Sequence, residues 1–533
     1  MEPRVTAQPF SNSYDEVPYN SYPYALAHPD HIAMIAVLLR LNPPRRPYRV
    51  LELGCASGGN LIPIAASRPD CSFVGVDYST RQIATGQLIV DQLRLTNIEL
   101  LVQSILDVEK TIGRFDYILC HGVYSWVPSD VQVKILDLCR SLLTEQGIAY
   151  ISYNTQPGWR QRGALRDMMQ YHVGRSAGSS PAQRIDQARG LLDFLVNATS
   201  TTDNSYARML REQQELLGKH SDSYIYHEHL ERHNEPLWFL DFCHRLDQHG
   251  LRYLGEADFS SMVGSMSLTP ELQQQLDDLA PDLTEKEQYI DFVRNRSFRQ
   301  TLVCHARQRP NYAVRGERLR GLFAATPGRV QMNDGEGGEP KWRLVVNDDL
   351  SLSTDLRTTQ IAFELLSQAW PERIPVALLV DQVAEQLNDP TLDRAELQRT
   401  LEVALLTAFS SSSGEVVELS VSPLNSMVDE SENHGAPMVS RLVQLQAREG
   451  MPVVNRRHNL LPVMPLDRRI LSLLDGTCDG EQLLVELLAQ HQSGDLIILD
   501  EHDVPISDSA VITSMLRELV PQRMAHYHRG SLL

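Results

Sequence analysis

Short apolar runs alternate with amphipathic segments of helical spacing between residues 31 and 155 of the chain. Apolar runs bounded by turn signals are typical of buried strands, and apolar positions three or four residues apart are typical of helices. The alternation predicts a parallel sheet with helices on both faces, an α/β fold. The predicted strands are Val50–Leu53, Phe73–Val76, Ile98–Val102, Phe115–Cys120 and Gly147–Ser152, and the predicted helices are His31–Leu41, Leu61–Ala66, Gln82–Leu95 and Val131–Leu143.

Two more strand-like runs occur much later in the chain, at 251–255 and 301–305. The stretch before them is Gly/Ser-rich at 174–180, then polar with helical spacing up to residue 235, and amphipathic over Leu237–His249. We expect one discontinuous sheet, in which a helical insertion separates the fifth strand from the sixth.

The carboxyl-terminal third has a different pattern. Residues 331–341 read as a polar turn or linker, and residues 358–421 give three helices followed by a strand. That order favours a winged-helix unit, with a generic helical bundle as the alternative. Residues 422–437 read as a second linker, and 464–530 as a mostly helical unit. The two units are candidates for distant copies of one fold.

A turn of small residues follows the first strand, in the sequence Arg49-Val-Leu-Glu-Leu-Gly-Cys-Ala-Ser-Gly-Gly-Asn60. Small residues at Gly54, Ala56 and Gly58 let a ligand approach the backbone where a larger side chain would collide. The helix that follows offers unpaired N–H groups at its start. The turn therefore predicts a site for a nucleotide-like cofactor.

Ala56 helps to decide which cofactor this is. A dinucleotide fingerprint has glycine there, and the alanine methyl group would crowd a pyrophosphate. The pattern Glu52-x-Gly54-x-Ala56-x-Gly58 instead resembles motif I of class I S-adenosylmethionine-dependent methyltransferases, in which alanine can replace the middle glycine. Asp77 ends the second strand, where it can accept hydrogen bonds from ribose hydroxyls.

Two aromatic segments are candidates for the acceptor side of such a site. His121, Tyr124 and Trp126 follow the fourth strand, where His121 could accept a proton or hold the methionine moiety and the two aromatic rings could wall a channel. Tyr14 and Tyr19 belong to a tyrosine-rich amino-terminal segment that could fold over the cofactor as a lid and hold a substrate amine. Core packing, and a disordered tail, are the respective structural alternatives.

Histidines cluster in Tyr226-His-Glu-His-Leu-Glu-Arg-His233. His229 and His233 are one helical turn apart, but the sequence offers no third ligand and departs from the H-E-x-x-H pattern of zinc proteases. We therefore predict no metal and interpret this segment as a packing and hydrogen-bonding surface.

Composition and charge narrow the classes of partner. The 533-residue chain has a formal net charge of −19, which argues against bulk neutralisation of nucleic-acid phosphates. It has no amino-terminal signal core and no 18-residue apolar run, so we predict no membrane insertion. Its seven scattered cysteines form no C-x-x-C pair, which favours a reducing compartment, and we expect a cytoplasmic protein.

Longer motifs carry a more specific resemblance. The chain resembles bacterial class I methyltransferases that carry a methyltransferase regulatory domain, among them the rickettsial lysine methyltransferases of outer-membrane proteins. The resemblance covers residues 12–305 well and the remainder loosely. The motifs that carry it are Tyr14–Tyr19, Leu51–Leu61, His121–Val127, Ser152–Trp159, Tyr226–Leu230, Gly250–Glu256 and Gln288–Gln300.

The resemblance implies a Rossmann-like seven-stranded sheet with a helical insertion and mainly helical, winged-helix-like carboxyl-terminal units. The implied domains are an aromatic lid segment at 1–30, a methyltransferase core at 31–170, a regulatory domain at 171–310 whose residues 237–305 complete the catalytic sheet, a winged-helix-like domain at 311–425 and a helical domain at 438–533.

The resemblance also implies S-adenosylmethionine as the cofactor and protein lysine as the methyl acceptor, with a homodimer left open. The candidate catalytic residues, chosen from their positions and chemistry, are His121, Tyr124, Tyr14 and Tyr19. The implied cofactor-binding residues are Glu52, Gly54, Cys55, Ala56, Gly58, Asn60, Asp77, Tyr78, Ser104, Ile105 and His121. Many class I enzymes have an aspartate where this chain has Ser104, so either Ser104 or Asp107 is expected to contact the adenine amino group.

Three other functions compete with protein lysine methylation. The first is methylation of a small molecule, against which the large accessory mass counts weakly. The second is a non-catalytic S-adenosylmethionine-binding module that uses its carboxyl-terminal units for protein interaction. The third is a nicotinamide oxidoreductase, which Ala56 disfavours.

Overall fold

The structure is a computed structural model that describes residues 13–176, 178–262, 268–334, 340–412, 414–424, 436–499, 502, 504–506 and 508–533. Its centre is a seven-stranded sheet with the strand order β3-β2-β1-β4-β5-β7-β6. The strands are β1 Arg49–Leu53, β2 Ser72–Asp77, β3 Ile98–Val102, β4 Phe115–Cys120, β5 Leu143–Asn154, β6 Leu251–Glu256 and β7 Phe298–His305. The five predicted strands and the two distant ones are confirmed as members of one sheet.

The first five strands are parallel, whereas β7 runs antiparallel to both β5 and β6. The pairing of Leu53 with Val76 and of Asp77 with Val102 ends β1, β2 and β3 at the same level. The segments that follow these strands therefore meet at one edge of the sheet, where ligands bind in open α/β folds.

Side chains alternate between the two faces of the sheet, as the pleat requires. Val50 of β1 belongs to the apolar cluster of one face, and Leu51 and Leu53 belong to that of the other. The helices at the amino-terminal side and around these strands are α1 Ser13–Glu16, α2 Pro29–Leu38, α3 Leu61–Ser67, α4 Thr80–Leu93 and α5 Ser129–Leu142. Both faces are thus covered, which gives the expected doubly wound arrangement.

A helical insertion lies between β5 and β6, as predicted. Its helices are α6 Trp159–Val173, α7 Pro181–Ala198, α8 Ser205–Gly218, α9 Asp222–His229 and α10 Phe239–Gln248. It has its own apolar cluster, which includes Leu165, Met169 and Leu210. Two more helices, α11 Pro270–Leu279 and α12 Leu283–Arg294, lie between β6 and β7.

One buried guanidinium ties the last two strands to α12. Arg299 of β7 contacts Glu256 of β6 and both Glu287 and Asp291 of α12, and all four side chains are almost fully buried. The guanidinium also lies 3.8 Å from the centre of the Phe239 ring. Removing one partner of such a network leaves uncompensated buried charge, so it fixes how the discontinuous sheet closes.

The first carboxyl-terminal unit combines three helices with short strands. Its elements are β8 Phe323–Ala325, β9 Arg329–Asp334, β10 Pro340–Val345, β11 Ser351–Leu352, α13 Arg357–Ala369, β12 Ile374–Pro375, α14 Val376–Leu387, α15 Arg394–Ser411 and β13 Glu418–Ser420. They form two three-stranded sheets, β12-β8-β13 and β11-β10-β9. Apolar side chains of this unit belong to the same cluster as one face of the central sheet.

The interpretation of residues 331–341 as a polar turn or linker was wrong for most of that stretch. Gln331 pairs with Arg343, and Met332 with Trp342, in the antiparallel ladder of β9 and β10. Residues 335–339, between the two strands, lie outside the described residues. The abundant polar residues hid an alternating pattern, and the ladder stabilises strands that have few apolar positions.

The second carboxyl-terminal unit is mostly helical, as predicted. Its elements are α16 Arg441–Arg448, β14 Val453–Val454, β15 Leu460–Leu461, α17 Pro465–Leu473, α18 Gly480–Ser493 and α19 Ser509–Arg529. It encloses an apolar cluster of its own. Most of the linker predicted at 422–437 falls on residues 425–435, which lie outside the described residues.

Candidate cofactor and acceptor site

The turn between β1 and α3 has the backbone conformation that its small residues predict. Gly54, Ala56 and Gly58 all have positive φ, at 76°, 48° and 75°. A Cβ on Gly54 would lie 2.4 Å from Cγ2 of Val123, so glycine is required there. Ala56 holds a left-handed conformation that costs an alanine roughly 1–2 kcal/mol. Of the three positions with positive φ, only Ala56 is not glycine, so the backbone strain of the turn lies there.

Asp77 closes the turn from the neighbouring strand. Its Oδ2 accepts a hydrogen bond from the Ala56 N–H at 2.8 Å, and its Oδ1 accepts one from the Ser79 N–H at 2.8 Å. Burial raises the pKa of this carboxyl group, whereas the two backbone hydrogen bonds lower it. A carboxylate has about four lone-pair sites, so two remain for donors such as ribose hydroxyls.

Glu52 lies beneath the turn and is only 3% exposed. Its Oε1 accepts a hydrogen bond from the Asn60 Nδ2 at 2.9 Å. Its Oε2 is buried and has no hydrogen-bond partner among the described residues. Burial raises the pKa of Glu52 to about 8. A buried acid with a free oxygen is complementary to a cationic donor, because a positive charge would favour its ionised form.

The other predicted cofactor residues surround this turn. Cys55 is buried, and Tyr78 is 62% exposed with its ring available for stacking. Ser104 Oγ accepts a hydrogen bond from the Leu106 N–H at 3.2 Å and so caps a short helix that begins at Ile105. Both Ser104 and Asp107 lie beyond β3, at the same edge as Asp77, and their contact with adenine stays a prediction.

His121 follows β4 and is held on two sides. Its Nδ1 lies 2.8 Å from the hydroxyl of Tyr150, which accepts a hydrogen bond from Gln300 Nε2 at 2.8 Å. The single phenolic proton of Tyr150 then points at Nδ1, which leaves the His121 proton on Nε2. Burial lowers the pKa of His121 to about 3, so the ring is neutral. Tyr24 stacks on it with ring centres 3.5 Å apart.

Residues 13–24, here called the strap, cross the ligand-binding edge of the sheet. Asp15 accepts a hydrogen bond from Ser79 next to Asp77, and the Tyr19 carbonyl accepts one from Gln82 Nε2 at 2.9 Å. Closer to the turn, Ser21 Oγ accepts from the Gly59 N–H at 2.8 Å. The Tyr24 N–H donates to Asn60 Oδ1 at 3.0 Å. The strap is therefore bound along its length to the two segments that form the cofactor turn.

The strap is also bound to helix α9 of the insertion, through His227. Tyr14 stacks on His227 with ring centres 4.4 Å apart, and Tyr19 meets the same ring edge-on at 5.6 Å. The His227 Nε2 lies 2.7 Å from the Val17 carbonyl oxygen. The histidine segment is accordingly a packing and hydrogen-bonding surface, and the strap lies between it and the cofactor turn.

Glu228 is a residue of this region that the sequence reasoning did not single out. It interacts electrostatically with Tyr14, Tyr19 and Tyr24 of the strap. Burial raises the pKa of Glu228 to about 7, although Arg162 and Arg166 of α6 oppose that rise. Glu231, which follows α9, lies in the same region, where it accepts a hydrogen bond from Ser13 of the strap and also acts on Tyr14.

Tyr124 is placed differently from the other predicted catalytic residues. It is fully buried, and its ring meets Phe242 edge-on at 5.4 Å within the apolar cluster beneath the sheet. Trp126 meets Trp159 edge-on at 6.0 Å. Tyr14 and Tyr19 belong to the strap, and His121 stacks on Tyr24 of the strap, whereas Tyr124 lies in the core. The catalytic roles of all four residues stay predictions.

Two searches of the described part of the chain bear on other classes of function. No group of three or more His, Cys, Asp or Glu residues in it could hold a metal ion. No helix in it is long and apolar enough to cross a bilayer.

The arrangement fits S-adenosylmethionine. The open lone pairs of Asp77 can receive its ribose, and the exposed ring of Tyr78 can stack on its adenine. The unpaired Oε2 of Glu52 is buried within β1 at the same edge of the sheet, where its charge can act on the amino group of the methionine portion.

Comparison with known families and proteins agrees with this fit. Residues 51–149 match a methyltransferase domain, residues 221–305 a predicted methyltransferase regulatory domain, and residues 436–532 the C-terminal winged helix domain of PKMT. The winged-helix match therefore falls on the second carboxyl-terminal unit. The winged-helix prediction for 311–425 stays a prediction.

One relative extends the match along most of the chain. The Rickettsia prowazekii protein RP789 is 34% identical over 498 residues, which are 92% of this chain and 88% of the relative. A second protein of that organism, RP028, is 37% identical over 243 residues, 45% of this chain and 96% of the relative.

The structure of PKMT2 from Rickettsia typhi in complex with AdoHcy superposes with a TM-score of 0.84 at 26% identity, and covers 97% of this chain and 100% of that one. The chain therefore belongs to the family of class I S-adenosylmethionine-dependent methyltransferases that combine a methyltransferase regulatory domain with a PKMT-type carboxyl-terminal winged helix domain.

Proposed function

We propose that this enzyme transfers the methyl group of S-adenosylmethionine to the side-chain amines of lysines in a protein substrate. The observation that carries the proposal is the structural match to PKMT2 from Rickettsia typhi, which extends over nearly the whole chain rather than over the methyltransferase sheet alone. The insertion and both carboxyl-terminal units are thus shared with a protein whose name denotes a protein lysine methyltransferase.

The cofactor side needs binding and orientation more than acid–base chemistry. Bound S-adenosylmethionine supplies an electrophilic methyl group on a sulfonium, and the protein contributes position and exclusion of water. Glu52 and Asp77 bind the polar groups of the cofactor. The small residues of the turn let the protein backbone approach the cofactor closely. The neutral ring of His121, stacked on Tyr24, forms an uncharged wall beside the turn.

The acceptor side must bind a cation and release a proton from it. A lysine ammonium is attracted to the faces of tyrosine rings and to carboxylates. Tyr14, Tyr19 and Tyr24 supply the rings, and Glu228 supplies a carboxyl group whose pKa of about 7 suits a proton acceptor at neutral pH. We assign Glu228 the role of binding the ammonium and taking its proton, and we assign the strap the role of a lid.

Several finer expectations belong to the same proposal. The acceptor is a protein rather than a nucleic acid, in keeping with the net charge of −19. The enzyme acts in the cytoplasm, and a homodimer is a further expectation. The domain boundaries given above, including the lid segment at 1–30, are likewise expectations.

The test is incubation of the purified chain with labelled S-adenosylmethionine and a cell lysate, followed by separation of protein from small molecules. Label in protein, located on lysine by mass spectrometry, is the expected result. Label confined to the small-molecule fraction would contradict a protein acceptor. Label on another amino acid would contradict the choice of lysine while leaving methyl transfer intact.

A further inference from the structure

The cofactor turn receives a contact from the far end of the chain. The β14–β15 hairpin of the second carboxyl-terminal unit places His458 Nε2 2.8 Å from Oδ1 of Asn60. Asn60 directly follows the turn, is 2% exposed and belongs to the methyltransferase core. A residue of the winged helix domain therefore lies against the cofactor-binding segment.

Asn60 is hydrogen-bonded by three different parts of the molecule. Its Nδ2 donates to Glu52, and its Oδ1 accepts from the Tyr24 N–H of the strap. Because the amide oxygen can only accept, His458 must donate from Nε2. Asn60 is thus the point where the strap, the buried acid of the turn and the carboxyl-terminal unit meet.

The hairpin that carries His458 is held by hydrogen bonds within its turn. Asn455 holds it through its Oδ1, which accepts from the Arg457 N–H at 3.0 Å and from the Asn459 N–H at 2.9 Å. His458 itself has φ of 62°, a left-handed conformation that is unfavourable for a non-glycine residue. Such strain persists only where the surroundings impose it.

Side chains next to His458 fasten the hairpin to the first carboxyl-terminal unit. Arg457 Nε donates to Glu418 at 2.7 Å, and the guanidinium lies 3.8 Å from the centre of the Trp370 ring. His458 is itself 5% exposed and meets His28, the residue before α2, edge-on at 5.6 Å. These contacts hold the His458 ring in place beside Asn60.

We propose that His458 is a positioning residue of the cofactor site, which orients Asn60 and, through it, Glu52. The winged helix domain is then a structural part of the S-adenosylmethionine site, and tight binding of the cofactor requires that this domain be docked. Burial lowers the pKa of His458 far below its ordinary value, so the ring keeps a single proton, which the contact uses.

The test is calorimetric titration of the full chain with S-adenosylmethionine, which does not depend on the identity of the acceptor. His458→Ala is expected to weaken binding by up to about tenfold, the effect of one lost buried hydrogen bond, since Asn60 Oδ1 keeps its bond from the Tyr24 N–H. His458→Gln, which can place an amide N–H near the position of Nε2, is expected to recover most of the affinity. His526→Ala changes an exposed histidine of the same domain and should bind as the wild type does.

A double-mutant cycle separates orientation of Asn60 from a general loss of packing. In an Asn60→Ser background, His458→Ala should weaken binding no further, because the group through which it acts is gone. Additive losses would overturn the proposal, as would wild-type affinity in His458→Ala or a failure of glutamine to recover affinity in a chain that keeps the circular dichroism spectrum of the wild type. If His458→Ala does not fold, His458→Phe, which keeps a ring but has no N–H to donate, takes its place in the cycle with the same two outcomes.

Discussion

The two sides of the site are built in opposite ways. Most of the cofactor side comes from one short stretch, Glu52 to Tyr78, in which two strands and the turn between them bring the main polar groups together. The acceptor side comes from the strap and from α9, which lie far apart in sequence and meet through ring contacts with His227. The comparison teaches that the groups expected to touch the cofactor are encoded locally, even though His458 reaches one of their neighbours from far along the chain. The acceptor side, in contrast, is assembled entirely by the packing of distant segments.

Replacement of the acceptor-side carboxyl group should have the largest effect. If Glu228 takes the ammonium proton, Glu228→Gln should lower kcat/KM for a lysine substrate by roughly 100-fold, the usual worth of a general base. Affinity for S-adenosylmethionine should be unchanged. Glu212→Gln, on the exposed face of α8, is the matched control and should keep the activity.

The pH dependence of activity in the wild type and in Glu228→Gln gives a second test of the role of Glu228. Burial raises the pKa of Glu228 to about 7, so its carboxylate form, the one able to take a proton, is lost as the pH falls below that value. Activity of the wild type should rise with pH through about 7, and this limb should disappear in Glu228→Gln. An unchanged limb would assign the titration to another group.

Removal of the Asp77 carboxylate, which is proposed to bind the ribose, should have the next largest effect. Asp77→Ala should weaken S-adenosylmethionine binding by roughly 1.5–3 kcal/mol, the worth of hydrogen bonds to a charged group, which is about 10- to 150-fold in Kd. Calorimetry measures it, with Asp91→Ala on the exposed side of α4 as the control. Equal affinities for the two variants would remove Asp77 from the cofactor site.

The strap should respond more weakly. Tyr14→Ala removes the stack on His227, worth about 0.5–1.5 kcal/mol for an aromatic pair, and should raise the KM for the protein substrate by about 2- to 10-fold. Tyr14→Phe keeps the ring and should stay near the wild type if stacking, not the phenol, is what matters. Tyr171→Ala alters a tyrosine that is 70% exposed and serves as the control. A loss of S-adenosylmethionine affinity larger than the rise in KM for the protein substrate would contradict the assignment of Tyr14 to the acceptor side.

The smallest effect is expected at Ala56. Ala56→Gly relieves a left-handed conformation but adds freedom to the unfolded chain, so the net gain in stability should be about 0.5 kcal/mol. Thermal unfolding measures it, and S-adenosylmethionine affinity should not change. A marked loss of stability would mean that the alanine methyl group makes contacts that outweigh its backbone strain.

Much of the fold was predictable because its signals are local. Buried strands such as β1 and β4 read as short apolar runs, and the turn from Gly54 to Gly58 and the carboxylate of Asp77 follow directly from their spacing. The two final strands were also predictable, since the class I resemblance required them after the insertion.

The remaining features depend on contacts between residues that are far apart in sequence, and no local sequence pattern encodes such contacts. Nothing near His458 or Glu228 in the sequence points to the cofactor turn or to the tyrosines of the strap. Tyr124 shows that closeness in sequence is also not enough. It lies three residues after His121, but a short helical turn directs its ring into the core. Strands β9 and β10 were missed because a ladder, rather than apolar content, stabilises them.

The interrupted sheet also has a consequence for biosynthesis. The long edge of β5 is covered by β7, which is synthesised only after the whole insertion and β6. At translation rates of about 5–20 residues per second, that delay is on the order of ten seconds. During it the nascent chain carries an uncovered strand edge, which is a template for aggregation. Fragments that stop before residue 298 should for the same reason be prone to insolubility, however complete their cofactor turn.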